Sequence, residues 1–422
     1  METKTKVNRL QSTQGIGKLL NNYYVDLRKA HEDGRKVAWT TGPPPLVLLE
    51  AMGVAYHHAP SYAAYVTGRK LSAPLLKQGQ AVGYSPEMCS YEKTSSALGT
   101  LLKSGQPVDP SITLPMPDFT FTAGRVCPNH NVWCDAVSRM FNIPEVVVDV
   151  PITYHERDFD RNVAYVERYL REDTIPALEK IVGRRFDYDR LKEIIKILKQ
   201  TCELRNECLE MGKHIPSPTT FFDMAMSVAV VMSLGGKPEC ITLYREFRDE
   251  VAQRVSQNIG AVPDEKYRLL WHHIPIWHKL GELSEGLADY GANLVLATYT
   301  HGDAFPRYTE RWDPEEPLRS IAEHLTHATR FFAVGYMRDW ILQMVQEYSI
   351  DGIILHNHRT CRAMDLGQSN ILNAVERQLG VPGVLIDADS VDIDFYSPAQ
   401  VNMRLQALLE TIDTRRRGRK EI

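Results

Sequence analysis

Three cysteines in this chain each lie at the end of a strand-like run and just before helix-like sequence. They are Cys89 in Tyr84–Tyr91, Cys127 in Gly124–His130 and Cys361 in His356–Arg362. The carboxyl ends of strands in open α/β sheets are where such folds build their sites. Thiolates suit iron–sulfur clusters, and a cluster held by three of them would keep one iron open for chemistry. The pattern suggests such a cluster.

The remaining four cysteines lack that setting. Cys202, Cys208 and Cys240 are not at strand-to-helix junctions, and the first two fall in a helical region and are interpreted as packing residues. Cys134, in the helix-like segment after Cys127, is a second choice for the same ligand role. Free cysteine is usually a small buried hydrophobe, so packing is the alternative for every one of the seven. Zinc is the other metal alternative, but no C-x2-C pair occurs here.

Histidines also follow strand-like runs. His57–His58 come after the second run, and His356 and His358 come just before Cys361. Because imidazoles exchange protons near neutral pH, all four are candidates for acid–base work or for contact with a substrate carbonyl. The alternative role for His356 and His358 is to hydrogen-bond the backbone around a cluster. A second aromatic and imidazole group, His272–His278, is interpreted as domain-interface packing.

Composition excludes several classes of function. The formal net charge is −4, and the dense basic run Thr414–Lys420 is interpreted as a frayed, solvated end, so no nucleic-acid partner is expected. The polar start and the lack of about 18 consecutive apolar residues predict a cytoplasmic protein without membrane contact. No phosphate-loop motif is present, so the chain should not hydrolyse ATP itself.

Strand-like and helix-like segments alternate in two parts of the chain. The alternation predicts an α/β protein with two Rossmann-like, doubly wound parallel-sheet domains and a helical insert between them. We expect an N-terminal α/β domain with a leading helix over 1–155, a mainly helical insert over 156–285 and a C-terminal α/β domain over 286–422. In this prediction the second set of strands begins at Ala292.

Five ordered motifs connect the chain to a known family. They are Tyr84–Tyr91, the Cys-x2-His-x2-Trp stretch Cys127–Trp133, Glu265–Arg268 with Ile274–Trp277, His356–Cys361 with Gly367–Gln368, and Ser397–Gln400. With these motifs the chain resembles, over nearly its whole length, the iron–sulfur catalytic subunits of the ATP-dependent 2-hydroxyacyl-CoA dehydratases and benzoyl-CoA reductases.

The resemblance implies a cofactor, partners and a reaction. It implies a [4Fe–4S] cluster held by Cys89, Cys127 and Cys361 between two α/β domains. It also implies a homologous second iron–sulfur subunit, a separate ATP-hydrolysing activator that donates electrons, and an acyl-CoA substrate. The expected chemistry is single-electron reduction of the CoA thioester to a ketyl radical anion.

One departure from the family pattern bears on the reaction. Where the dehydratase subunits usually hold a Tyr-Pro-Glu-type element, this chain reads Tyr56-His57-His58-Ala59-Pro60. The missing carboxylate favours aromatic-ring reduction of the benzoyl-CoA reductase type. The alternatives are an (R)-2-hydroxyacyl-CoA dehydratase subunit, a non-catalytic partner subunit of such a complex, and a metal-free α/β binding protein.

Overall fold

The structure is a computed structural model that describes residues 7–42, 44–124, 127–302 and 311–420. It contains two four-stranded parallel sheets, which confirms the predicted α/β class with two parallel-sheet halves. The first sheet comprises β1 (Val37–Thr41), β2 (Ala55–His58), β3 (Phe119–Ala123) and β4 (Glu145–Val148). The second comprises β5 (Tyr267–His272), β6 (Ala292–Ala297), β7 (Gly352–His358) and β8 (Gly383–Ala388).

Helices cover the sheets and fill the segment between them. The first half contains α1 (Gln14–Arg28), α2 (Leu46–Ala51), α3 (Ala59–Gly68), α4 (Ser72–Ala81), α5 (Ser90–Lys103) and α6 (Pro128–Phe141). The middle segment contains α7 (Phe159–Tyr169), α8 (Ile175–Val182), α9 (Tyr188–Met211), α10 (Phe221–Leu234) and α11 (Pro238–Ser256). The second half contains α12 (Leu280–Ala288), α13 (Thr298–His301), α14 (Pro317–Arg330), α15 (Val334–Glu347), α16 (Arg362–Asp365), α17 (Gln368–Leu379) and α18 (Pro398–Lys420).

The two sheets share one topology. The strand orders are β2-β1-β3-β4 and β6-β5-β7-β8, so in each half the chain places its second strand on one side of the first and its third on the other. The direction of winding therefore reverses between β1 and β3 and again between β5 and β7. In open parallel sheets the crevice at the carboxyl ends of such strands is where ligands bind. This fold therefore provides two equivalent crevices.

Most strands are buried on both faces, as is typical of parallel sheets, whereas the edge strands β4 and β8 are partly exposed. Every residue of β1, β3 and β6 is buried, and these strands are nearly continuous runs of apolar or threonine side chains. The first hydrophobic core joins the first sheet to the helical segment, with Phe121 and Trp133 packed in the same cluster as Ile195 and Val251. Helices α7–α11 are thus bound to the first half by shared apolar burial.

The expectation that the second set of strands begins at Ala292 is wrong, because β5 precedes it. Residues of β5 pair with both β6 and β7, so this strand lies in the middle of the second sheet. Its Arg268 is buried, and the guanidinium is compensated by Glu265 at 2.6 Å and by backbone carbonyls. β5 falls within the range assigned to the helical insert, and the three domain ranges stay predictions.

The basic run at the end of the chain is ordered in part. α18 continues through it, Arg415 contacts Glu376 at 2.5 Å, and Arg416 contacts Asp351 at 2.7 Å. The expectation of a frayed end is therefore wrong for these two arginines. Within the described ranges, no helix is both long enough and apolar enough to cross a membrane.

Candidate active site

Both crevices open on one cavity of about 190 Å³. Gly42 follows β1 and Cys127 follows β3, while His273 follows β5 and Cys361 comes shortly after β7. All four line this cavity. The site therefore sits where the strand order reverses in each half, and its walls come from both sheets.

The three cysteines predicted as ligands all line the cavity. Cys89, Cys127 and Cys361 are partly accessible, whereas the other four cysteines of the chain are fully buried. Each of the three stands immediately before a helix: α5, α6 and α16 respectively. The fold thus brings the cysteines together from sequence positions more than 270 residues apart. Cys134 is buried in the first core and does not line the cavity, which favours Cys127 in the ligand role.

The surroundings of the three cysteine sulfurs disfavour the charged thiolate form. Burial raises the pKa of the Cys127 thiol to about 11 and that of Cys361 to about 12, and it raises the pKa of Cys89 well above its usual range. None of the three side chains forms an N-cap hydrogen bond. Backbone N–H groups of the following helix nevertheless lie near each sulfur, and they lower the thiol pKa and so favour the thiolate. The thiolate forms therefore need a positive partner such as a metal centre.

The loops that carry Cys89 and Cys361 are joined to each other. The Ser90 N–H donates to Thr360 Oγ1 at 3.2 Å, and the Thr360 hydroxyl donates to Asp389 Oδ2 at 2.7 Å. All three residues are buried. A second contact, from Arg359 to Glu87 at 2.5 Å, is half exposed and contributes little to stability.

The structure separates the first pair of predicted histidines. His58 lines the cavity, but both of its ring nitrogens are occupied, by the Ser61 hydroxyl at 2.8 Å and the Gly42 carbonyl at 2.8 Å. His57 does not line the cavity; its ring packs against Trp39 and bonds the Ser95 hydroxyl at 2.9 Å. Burial lowers the pKa of His58 to about 4, so this ring is neutral near pH 7.

The second pair of predicted histidines, His356 and His358, contacts backbone groups. His358 lines the cavity, and its ring nitrogens lie 3.3 Å from the Thr360 backbone nitrogen and 3.2 Å from that of Ser390; the neutral ring accepts a hydrogen bond from one of these two N–H groups. His356 is not part of the cavity wall, and its Nδ1 donates to the Ile274 carbonyl at 2.8 Å. These contacts match the backbone-supporting role that the sequence left open for both residues.

Two histidines of the cavity wall are not predicted as site residues from the sequence. The sequence pattern places His273 among packing residues and His130 only within a motif, yet both line the cavity. His273 is fully buried with a φ of +102°, a conformation that costs a residue other than glycine about 1–3 kcal/mol. The signal for His273 is its place directly after β5, a strand that the pattern does not predict.

Packing between the halves is confirmed for Trp277, whose Nε1–H donates to the Tyr91 hydroxyl of the first half.

A buried carboxyl also lies beside the cysteines. Glu92, in the first turn of α5, is 2% exposed, and its Oε1 has no hydrogen-bond partner in the described chain. Burial raises the pKa of Glu92 to about 8, so the group is mostly protonated at neutral pH. It does not line the cavity. Sequence reasoning missed it because nothing in the spacing distinguishes it from an exposed helical glutamate.

The rest of the cavity wall is largely apolar and aromatic. Its members include Met232, Tyr299, Phe331, Phe332 and Met364. No lysine, arginine, aspartate or glutamate of the described residues lines it. A wall of this kind excludes water and offers no charged partner for a carboxylate.

Comparison with known proteins gives a consistent result. The family model for 2-hydroxyglutaryl-CoA dehydratase, D-component, matches residues 44–412. The lactoyl-CoA dehydratase subunit alpha of Anaerotignum propionicum is 26% identical, over 92% of this chain and 93% of that protein. The (R)-2-hydroxyisocaproyl-CoA dehydratase alpha subunit of Clostridioides difficile is 26% identical, over 95% and 96%. A benzoyl-CoA reductase subunit of Thauera aromatica is also 26% identical, over 72% of each chain.

These relatives are enzyme subunits, which implies a complex with further subunits. The match covers every strand of the two sheets except β1, the helical segment and all residues of the cavity wall except Gly42. The chain belongs to the 2-hydroxyglutaryl-CoA dehydratase D-component family and is a subunit of an enzyme of this dehydratase and benzoyl-CoA reductase type.

Proposed function

We propose that this chain is the iron–sulfur subunit of an ATP-dependent enzyme that reduces a CoA thioester by single-electron chemistry. The observation that carries the proposal is the meeting of Cys89, Cys127 and Cys361 on one largely apolar cavity at the reversal points of both sheets. A [4Fe–4S] cluster bound there would supply one low-potential electron through an iron that no cysteine holds.

The donor set fits a cluster better than a single ion. Three thiolates on one tetrahedral zinc with bonds of about 2.3 Å would stand roughly 4 Å apart. Among the residues that the structure describes, no three His, Cys, Asp or Glu side chains converge closely enough to hold one metal ion. The ligands of a cluster bind different irons and stand further apart, as three cysteines that each precede a helix on a separate loop can do.

The cavity wall supports a hydrophobic acyl group. Phe331, Phe332 and Met364 provide apolar surface, and no described lining residue carries a charge that would pair with a second carboxylate. An aryl or branched-alkyl acyl group fits this wall, whereas a glutaryl group would leave its terminal carboxylate unpaired. The same wall keeps water from the site of electron transfer.

Aromatic-ring reduction, as in benzoyl-CoA reductase, is the reaction we favour. Removing a β-proton from a hydroxyacyl group needs a base, and no carboxylate of the described residues lines the cavity. Dehydration of a hydrophobic (R)-2-hydroxyacyl-CoA is the second candidate, because the two dehydratase subunits match more than nine-tenths of the chain. Both reactions require the partners expected from the sequence: a homologous second subunit and an ATP-hydrolysing activator.

A substrate comparison under strictly anaerobic conditions tests the proposal. The complex, with activator and ATP, is offered benzoyl-CoA, phenyllactyl-CoA and 2-hydroxyglutaryl-CoA. We expect benzoyl-CoA to be reduced and 2-hydroxyglutaryl-CoA to be left unchanged. Turnover of phenyllactyl-CoA alone would support dehydration, and turnover of 2-hydroxyglutaryl-CoA would contradict the hydrophobic acyl site. A Cys361→Ala complex that keeps full turnover would support the non-catalytic partner role instead.

A further inference from the structure

A second cavity lies next to the cavity that the three cysteines line, which is called the cysteine cavity below. The second cavity has a volume of about 70 Å³, against about 190 Å³ for the cysteine cavity. Met232, near the end of α10, lines both. Among the residues that the structure describes, no other belongs to both walls. Met232 is therefore a partition between the two spaces.

Two further elements pass from one cavity to the other. After β1, Gly42 lines the cysteine cavity, and Pro44, two positions further on, lines the second cavity. Ile321 of α14 lines the second cavity, and Phe331, directly after that helix, lines the cysteine cavity. The two spaces thus follow one another along the same elements, with Met232 on the wall common to both.

The wall of the second cavity is mostly apolar. Its larger apolar members are Leu46, Val47, Leu198, Val231, Trp312 and Ile321. Burial raises the pKa of the Glu50 carboxyl, which accepts the Tyr56 hydroxyl at 2.8 Å, and lowers the pKa of His324 to about 4. His324 is therefore neutral near pH 7. A hydrocarbon chain suits such a wall, because it buries apolar surface and needs no hydrogen-bond partner.

The Met232 side chain reaches open space and can be shortened without breaking its helix. Met232 is half-buried, whereas its neighbours Val231 and Ser233 are buried. Methionine is unbranched and has three rotatable bonds, so it closes a gap without filling it rigidly. Alanine is the best helix former, so Met232→Ala should leave α10 intact.

We propose that Met232 is a specificity-determining residue that limits the length of the acyl group by closing the cysteine cavity on the side of the second cavity. The inference rests on the proposed function, since it concerns the acyl group of the same CoA thioester. Because the thioester lies beside the cysteines in that function, the distal carbons of the acyl group extend along the apolar wall. A shorter side chain at position 232 would let a longer apolar chain enter the second cavity.

The test compares the binding of benzoyl-CoA with that of 4-hexylbenzoyl-CoA, which differs only by an apolar chain on the ring. Calorimetry on the anaerobic complex without activator measures both affinities for wild type and Met232→Ala. Met232→Leu conserves the side-chain volume, and Met226→Ala lies in the same helix but outside both cavities, so these two are the controls. The double variant Met232→Ala/Val47→Phe narrows the second cavity from its own wall.

We expect wild type to bind benzoyl-CoA more tightly than 4-hexylbenzoyl-CoA. Met232→Ala should shift this preference by about tenfold towards the longer ester, through tighter binding of that ester alone. Both controls should keep the wild-type preference. Val47→Phe should cancel most of the shift, because the hexyl chain then loses the space behind position 232. The retained affinity for benzoyl-CoA reports that each variant is folded.

Two results would overturn the inference while the proposed function stands. One is a Met232→Ala preference equal to that of wild type, including the case in which both esters bind more tightly by the same factor, since the second cavity would then receive the CoA part that they share. The other is a shift that Val47→Phe does not reduce. If wild type binds neither ester, the proposed function itself fails, and the inference with it.

Discussion

The N–H of Ser90 donates a hydrogen bond to the Oγ1 of Thr360, residues 270 positions apart that adjoin Cys89 and Cys361. Thr360 in turn donates to Asp389, which also accepts the N–H groups of Val391 and Asp392 at 2.8 Å. One hydroxyl thus joins the cysteine loop of the first half to a hydrogen-bonded turn of the second. The relative positions of two of the three candidate ligands depend on it.

Thr360→Val tests this connection with little change in side-chain volume. Valine removes the hydroxyl and leaves the buried Ser90 N–H and Asp389 Oδ2 without their partner. We expect the free energy of unfolding to fall by about 1–3 kcal/mol and iron to be lost faster during dialysis. Thr360→Ser keeps the hydroxyl and should retain most of both. If Thr360→Val matches wild type in urea unfolding and iron retention, the connection does not hold the site together.

Gly42→Ala tests the fit of the first crevice. Gly42 has a φ of +79°, and a Cβ there would lie 2.7 Å from His130 Nδ1. The left-handed backbone alone costs an alanine about 1–2 kcal/mol, and the clash must also displace the imidazole. We expect a lower urea midpoint. Gly17→Ala, in α1 with no atom within 4 Å of the added Cβ, is the control and should stabilise by about 0.5–1 kcal/mol. Equal midpoints for the two variants would contradict this account.

The buried imidazole of His272 determines the direction in which its contribution to stability changes with pH. It is buried, and burial lowers its pKa to about 4, against about 6.5 in the unfolded chain. Below pH 6.5 the unfolded chain therefore binds a proton that the folded protein does not bind. Stability is fully present above pH 6.5 and is lost as the pH falls towards 4.

We expect His272→Gln to lose about 2 kcal/mol less stability than wild type between pH 7 and pH 5. Urea unfolding at the two pH values measures this difference. His155→Gln, at an exposed position, serves as the control and should follow wild type. An unchanged pH dependence in His272→Gln would mean that the buried imidazole is not neutral in the folded state.

The sequence predicts the elements whose burial is continuous. Phe119–Ala123 and Phe221–Leu234 have the observed bounds because their predominantly apolar or threonine composition identifies buried elements directly. Strand β5 is not predicted from the sequence because Arg268 interrupts its apolar run. That arginine is tolerated only through Glu265 and carbonyls contributed by distant loops, and such tertiary compensation leaves no local pattern.

The site was predictable to the same degree. Strand-end position selected Cys89, Cys127 and Cys361, and all three line the cavity. Position could not tell His57 from His58, because alternate residues of a strand point to opposite faces and the register fixes which one meets the cavity. His273 depended on recognising β5. Its unusual backbone conformation is a property of the folded chain and has no signature in the sequence.

The iron and sulfide content of the anaerobically purified complex tests the central claim most directly, with cysteine variants of this chain compared one by one. The account predicts about four irons and four sulfides bound by this chain. Cys89→Ser, Cys127→Ser and Cys361→Ser should each lose most of that iron, whereas Cys134→Ser should keep it. An iron-free wild-type chain, or iron lost only in Cys134→Ser, would contradict the account.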